Sequence, residues 1–169
     1  MLIRAYGLFW RADEIEWFPG SGNHKGFQLL GKQGRGSTLR VTDFRTQNGI
    51  YILYGNYGAY YVGLTDNLGS RLKDHQKNHR SGQWDRFSWF GFANVQQQRD
   101  PNTGLQNVKK LKATVGTPKQ AIADLEALLI HAIGPSNTRK MNFERADEWK
   151  QVALSDRARV LGKVMPGRN

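Results

Sequence analysis

Six residues suited to cleaving a phosphodiester follow one another along the chain: Tyr51, Tyr61, Arg71, His75, Glu126 and Asn137. Arg71 follows Tyr61 by ten residues and His75 follows it by fourteen. On a helix, Arg71 and His75 then stand one turn apart on one face. Glu126 is a lone carboxylate within the apolar run LEALLI, and Asn137 comes just beyond it, with Asn142 as a second candidate. A hard cation takes carboxylate oxygen and water. Charge developing on a phosphoryl group is met by arginine. An attacking water needs a base, which phenolate or imidazole can supply.

These residues need elements to hold them. GIYILY (49–54) and YYVGL (60–64) read as two strands joined by the loop GNYGA. TDNLGSRLKDHQKNH reads as a helix capped by Thr65 or Asp66, with Leu68 and Leu72 inward. RFSWFGFANV (86–95) is expected to form a third strand, and the polar, basic stretch after it a loop with one short element. TPKQAIADLEALLIHAIGP has helix signals at both ends: Thr117 as cap, Pro118 in the first turn, Gly134 and Pro135 as the stop. Ile122, Leu125, Leu129 and Ile133 would form its apolar stripe.

The first 48 residues alternate short strand-like runs (LIRAYGLFW, EIEWF, FQLLGK, STLRVTDF) with Gly-rich turns. GKQGRGS lacks the lysine–hydroxyl ending of a phosphate-binding loop and reads as a turn. The tail from about Phe143 is expected to be mostly helical. The fold class expected is α+β: a small, mostly antiparallel three-stranded sheet flanked by helices. An N-terminal β extension (1–48), a core (49–142) and a helical tail (143–169) divide the chain.

Twenty-five Lys and Arg oppose 14 Asp and Glu, a net charge of +11. That excess points to a polyanionic partner, nucleic acid first. The chain has no cysteine, which removes disulfides and thiolate metal sites and agrees with a reducing cytoplasm. No run of 18 apolar residues suggests a membrane span.

The motifs together resemble the GIY-YIG nuclease superfamily. The two triplets stand as Gly49-Ile50-Tyr51 and Tyr61-Val62-Gly63, separated by nine residues. YVGLTDNLGSRLKDH and EALLIHAIGPSN match the runs that follow in the family, so the likeness covers about 49–142. The resemblance implies one divalent ion per site, Mg2+ or Mn2+, held by Glu126 and waters. Tyr51 would touch the ion's water shell or act as general base, and Tyr61 would position phosphate or water. Arg71 would neutralise the transition state. His75 would be base or orienter, and the asparagine, Asn137 by its distance from Pro135, would brace the site. Gly49 and Gly63 would leave the cleft floor bare for the substrate backbone, which Lys73, Lys109, Lys110 and Lys112 would track.

The expected function is a metal-dependent DNA endonuclease, acting on double-stranded DNA as a standalone prokaryotic or phage enzyme of restriction or phage defence. Its partner would be a second copy or another protein met through the N-terminal extension. Two other readings remain open: a catalytically silent nucleic-acid-binding module, and a nuclease subunit regulated by a protein partner. Read singly, Tyr51 and Tyr61 could be cross-strand packing and Arg71–Glu126 an ion pair; the ordered set favours a site.

Overall fold

The computed structural model describes residues 2–19, 26–109, 118–133, 143 and 146–167. The first sheet contains the three expected strands, β4 (Gly49–Gly55), β5 (Gly58–Thr65) and β6 (Arg86–Gly91). It is wider than expected. β1 (Ala5–Arg11) pairs antiparallel with β6, and β9 (Asp147–Glu148) pairs parallel with β1, giving five strands in the order β5-β4-β6-β1-β9. The β4–β5 hairpin closes on a two-residue turn, Asn56-Tyr57, rather than a five-residue loop.

A second five-stranded sheet was not anticipated. It comprises β2 (Leu30–Gln33), β3 (Arg40–Asp43), β7 (Asn94–Arg99), β8 (Gln106–Lys109) and β10 (Lys150–Gln151), ordered β10-β2-β3-β8-β7. The stretch read as one strand over 86–95 therefore ends at Gly91, and a new strand of the other sheet starts at Asn94. The polar run after it pairs as a β-hairpin, since edge strands can be polar on both faces. EIEWF forms no strand; a 3-10 turn occupies Ala12–Glu14. Among the described residues of the tail, the α-helix is α3 (Arg157–Val164), preceded by a 3-10 turn at Leu154–Asp156, and residues nearer its start pair with β1 and β2.

That pairing joins the two sheets. β9 belongs to one and β10 to the other, with the fully buried Trp149 between them. Trp149 packs edge-on to Phe44, which lies tilted against Trp89 with 4.4 Å between ring centroids. The indole N–H of Trp10 donates to the Trp149 carbonyl at 3.2 Å. Trp10 reaches this core through a bulge in β1, where Phe9 takes φ +51° and the register shifts.

The first sheet has two covered faces. Tyr51, Leu53, Phe87 and Trp89 face one core, with Leu68 and Leu72 of α1 (Leu68–Lys77). The alternating residues Ile52, Tyr54 and Phe90 face another, with Ala127, Leu128 and Ala132 of α2 (Pro118–Ile133). The helices therefore lie on opposite faces of the sheet. Asn67, not Thr65 or Asp66, caps α1, its side chain accepting from the Ser70 N–H at 2.9 Å.

α2 does not bury the expected stripe. Ile122, Leu125 and Leu129 are each more than half exposed, and the Ile133 side chain lies outside the described residues. The inward side carries Asp124, Ala127, Leu128 and Ala132. Asp124 holds the start of the chain, its carboxylate accepting from the Leu2 N–H at 2.6 Å. Thr117, Gly134 and Pro135 lie outside the described residues.

Because Trp149 fills the core common to both sheets, Trp149→Ala is expected to lower stability by about 3–5 kcal/mol, the range for truncating a buried aromatic. A urea titration followed by fluorescence and circular dichroism should show one transition at a lower midpoint. A variant in which one sheet melts before the other would contradict a common core.

Candidate active site

Tyr51 sits at the centre of β4, directly opposite Gly63 of β5. The pairing explains the glycine. A Cβ on Gly63 would lie 2.4 Å from the Tyr51 hydroxyl, so the phenol occupies the space a side chain would fill. Gly49 is also constrained by the protein itself: a Cβ there would fall 2.0 Å from the Phe90 carbonyl oxygen. Neither glycine leaves bare floor. Their missing side chains accommodate neighbouring protein atoms.

α1 closes over this position. Its start is fixed to the segment just before β4 by the Leu68 N–H, which donates to the Gln47 carbonyl at 2.8 Å. The buried Gln47 amide in turn bonds Ala93 on both its N–H and carbonyl groups. One turn of α1 then presents Arg71 and His75 to the tyrosines. The Arg71 Nε–H donates to the Tyr51 oxygen at 3.2 Å, and its Nη2 lies 3.5 Å from the Tyr61 oxygen. His75 Nε2 is 2.7 Å from the Tyr51 hydroxyl. The His75 ring meets Tyr61 edge-on at 5.1 Å.

Exposure differs sharply within the cluster. Tyr51 and His75 are fully buried, Tyr61 is partly exposed and Arg71 is exposed. Burial pushes the Tyr51 phenol above its usual range, against the opposing pull of Arg71. Burial first, and the Arg71 charge second, hold His75 down to about 4. At neutral pH both groups are uncharged. His75 Nδ1 is buried without a hydrogen-bond partner. A ring proton on Nε2 leaves only a lone pair unmatched there, which costs less than an unpaired N–H. In that arrangement His75 donates to the Tyr51 oxygen, which also accepts from Arg71. Tyr51 and His75 are thus positioning residues in this state; Tyr61 and Arg71 form the accessible surface.

Among the described residues no carboxylate pairs with Arg71. Two phenol oxygens hold its guanidinium and neither neutralises it. Arg80 was not anticipated. Its guanidinium lies over the Tyr61 ring, 4.6 Å from the centroid, adding a second cation to the same surface. Its position just past α1 gives no periodic signal, though a basic residue near the end of a site-bearing helix was visible in the sequence.

Other expected residues lie elsewhere. Glu126 is exposed on α2, on the far face of the sheet, and no hydrogen bond or ion pair joins it to Tyr51, Tyr61, Arg71 or His75. Among the described residues no group of three His, Cys, Asp or Glu side chains could hold a metal. Lys73 packs its ammonium over Phe27 and Phe18, 5.1 and 5.4 Å from the centroids. Lys109 is exposed on β8 of the second sheet. Asn137, Asn142, Lys110 and Lys112 lie outside the described residues.

The buried imidazole predicts a pH dependence of stability. Folded His75 takes a proton near pH 4, whereas an unfolded histidine takes one near pH 6.5. Between those values the unfolded chain binds more protons, so stability falls as pH drops through the window. The loss should be on the order of 3 kcal/mol by pH 4. Thermal melts of wild type and His75→Gln from pH 4 to 8 should converge in slope above pH 7, with the wild type falling more steeply below 6.5. Parallel curves throughout would contradict a buried neutral imidazole.

The family model for the GIY-YIG catalytic domain matches residues 47–142, a span that includes the Tyr51–Tyr61–Arg71–His75 cluster and α2. No curated protein and no solved structure matches the chain. With more than half of its length matched by that family model, the chain belongs to the GIY-YIG family.

Proposed function

We propose that this protein is a divalent-metal-dependent endonuclease that hydrolyses DNA, read as double-stranded. Membership of the family carries nuclease chemistry in general terms. For this chain the supporting observation is Arg71, exposed, braced by two phenol oxygens and uncompensated by any described carboxylate. Such a guanidinium suits a phosphoryl group that gains charge as water adds to phosphorus and a P–O bond to sugar breaks. Tyr61 offers a hydroxyl donor to a phosphate oxygen or to the attacking water. Tyr51 and His75 hold Arg71 and Tyr61 in register.

The ion is proposed as Mg2+ or Mn2+, one per site, with Glu126 as its protein ligand. Its carboxylate is exposed and has no described partner, but it stands on the opposite face of the sheet from Arg71 and Tyr61, so the assignment rests on the family resemblance and not on the described geometry. When bound, such an ion polarises phosphoryl oxygen and lowers the pKa of its water. Asn137 is proposed to brace the site, and the lysines at 73, 109, 110 and 112 to follow the backbone. Residues 49–142 are read as the nuclease core, with 1–48 and 143–169 adding strands to it and building the second sheet. A standalone role in restriction or phage defence in a prokaryotic cytoplasm is the proposed context, with a second copy or a protein partner at the N-terminal segment. Among the described residues no helix is long and apolar enough to cross a membrane.

One observation favours a second reading. Glu126 lies on the helix opposite the tyrosine cluster. A chain that keeps Arg71 but does not bring a carboxylate to it would bind DNA without cutting.

Plasmid cleavage separates the two. With magnesium the wild type should nick or linearise supercoiled DNA, and EDTA should stop it. Arg71→Ala should lose about 100- to 1,000-fold in rate, the scale for one electrostatic donor. Glu126→Ala should abolish cutting while retaining DNA binding. Undiminished cutting by Glu126→Ala would remove it as the ligand; binding without cutting by the wild type would favour the silent module.

A further inference from the structure

Outside the nuclease cluster, the second sheet forms a cleft of about 640 Å³. Lys32 at the end of β2, Arg35 in the following turn, Lys150 of β10, and Arg159 and Lys163 of α3 line it. Among the described residues Glu148 is the one carboxylate in the lining, and it pairs with Lys150. Asp156 serves both Lys32, at 3.5 Å, and Arg159, at 2.7 Å. Five cations thus face two carboxylates. Among the described residues, Arg35 and Lys163 have no acidic partner, and both are exposed. The buried Leu39 and Val160 form an apolar floor.

The turn at one wall is built to stay thin. Gly34 takes φ +73° and Gly36 φ +54°; a Cβ on Gly34 would meet the Thr38 carbonyl oxygen at 2.4 Å, while Gly36 faces open space. Residues 34–38 are all exposed. A strand of nucleic acid can approach the backbone there without meeting a side chain at Gly36. Cations without acidic partners at the edge of the cleft match a sugar–phosphate chain, whose phosphates carry one charge each.

We infer that this cleft is a second nucleic-acid site, in which Arg35 and Lys163 contact the phosphodiester backbone of the molecule that the nuclease cluster acts on. The inference rests on the nucleic-acid substrate proposed above. A chain of this length has a radius of gyration of about 15 Å, so a duplex of about 20 base pairs, roughly 70 Å long at ~3.4 Å per pair, is longer than the molecule is wide. Holding substrate away from the chemistry raises the local concentration of scissile bonds at Tyr61 and Arg71. It also gives a function to the strands and helix flanking the family domain.

The test is fluorescence anisotropy with a labelled 20-base-pair duplex in EDTA, where cutting cannot interfere. Arg35→Glu/Lys163→Glu should weaken binding at least about tenfold and lower the slope of log affinity against log salt by about two, one per lost phosphate contact. Arg11→Glu/Arg86→Glu, an equal charge change outside the cleft, should weaken it less than about threefold by general field alone. Thermal melting checks that each variant is folded. Should the reversal disturb the fold, amide NMR of the wild type gives a second readout, and the Gly34–Thr38 signals should shift as duplex is added. Unchanged affinity and slope, or unshifted amides, would overturn the inference. So would unaltered duplex binding accompanied by loss of pyrophosphate binding, which would assign the cleft to a small free phosphate compound. Unchanged binding by the reversal with normal magnesium-dependent cutting by the wild type removes the cleft and leaves the nuclease. Weakened binding with no cutting by the wild type keeps the cleft and removes the nuclease.

Discussion

The burial of one phenol organises this site. Tyr51 is fully enclosed, and its hydroxyl must find partners inside the protein. It finds two, Arg71 and His75, both on one turn of α1. Meeting them fixes how α1 lies on the sheet. Making room for them requires a glycine across the hairpin, and Gly63 is that glycine. Arg71 can therefore be ordered without a carboxylate. A carboxylate would hold it better and silence its charge; two neutral oxygens hold it and leave the charge available.

The rest of the fold stiffens this arrangement. β4 is buried along most of its length because β5 and β6 flank it and helices cover both faces. β1 extends the sheet on the far side of β6. The crossing at Trp149 then commits the second sheet to the same core, so that the segments before and after the family domain are structurally part of it. A site on a hairpin and one helix turn gains its precision from that shared core rather than from local propensity.

Much of the site was legible in the sequence because its signal is short-range. Tyr51, Tyr61, Arg71 and His75 lie within one hairpin and the next helix, where spacing maps directly onto geometry. The sheet widths were not legible, since β9 pairs with β1 across some 140 residues and short two-residue strands carry no period. α2 shows the limit of periodicity. Its apolar stripe was real, yet Asp124, Ala127, Leu128 and Ala132 are the buried residues, and Asp124 bonds the start of the chain. That orientation also leaves Glu126 away from the tyrosines, a separation that spacing alone could not reveal. Arg80 was missed because stacking on a ring depends on tertiary placement. The reading of both glycines as open floor failed for a related reason: a glycine's space belongs to whichever neighbour fills it, here Tyr51 and the Phe90 carbonyl.

The most direct test of the account is single-turnover DNA cleavage by Tyr51→Phe, which keeps the ring in its pocket and removes only the oxygen that orients Arg71. The expected result is a fall of about 100-fold or more in rate with duplex affinity unchanged, the scale for displacing one transition-state charge. Cleavage at the wild-type rate would contradict it, because Arg71 would then need no buried phenol to do its work.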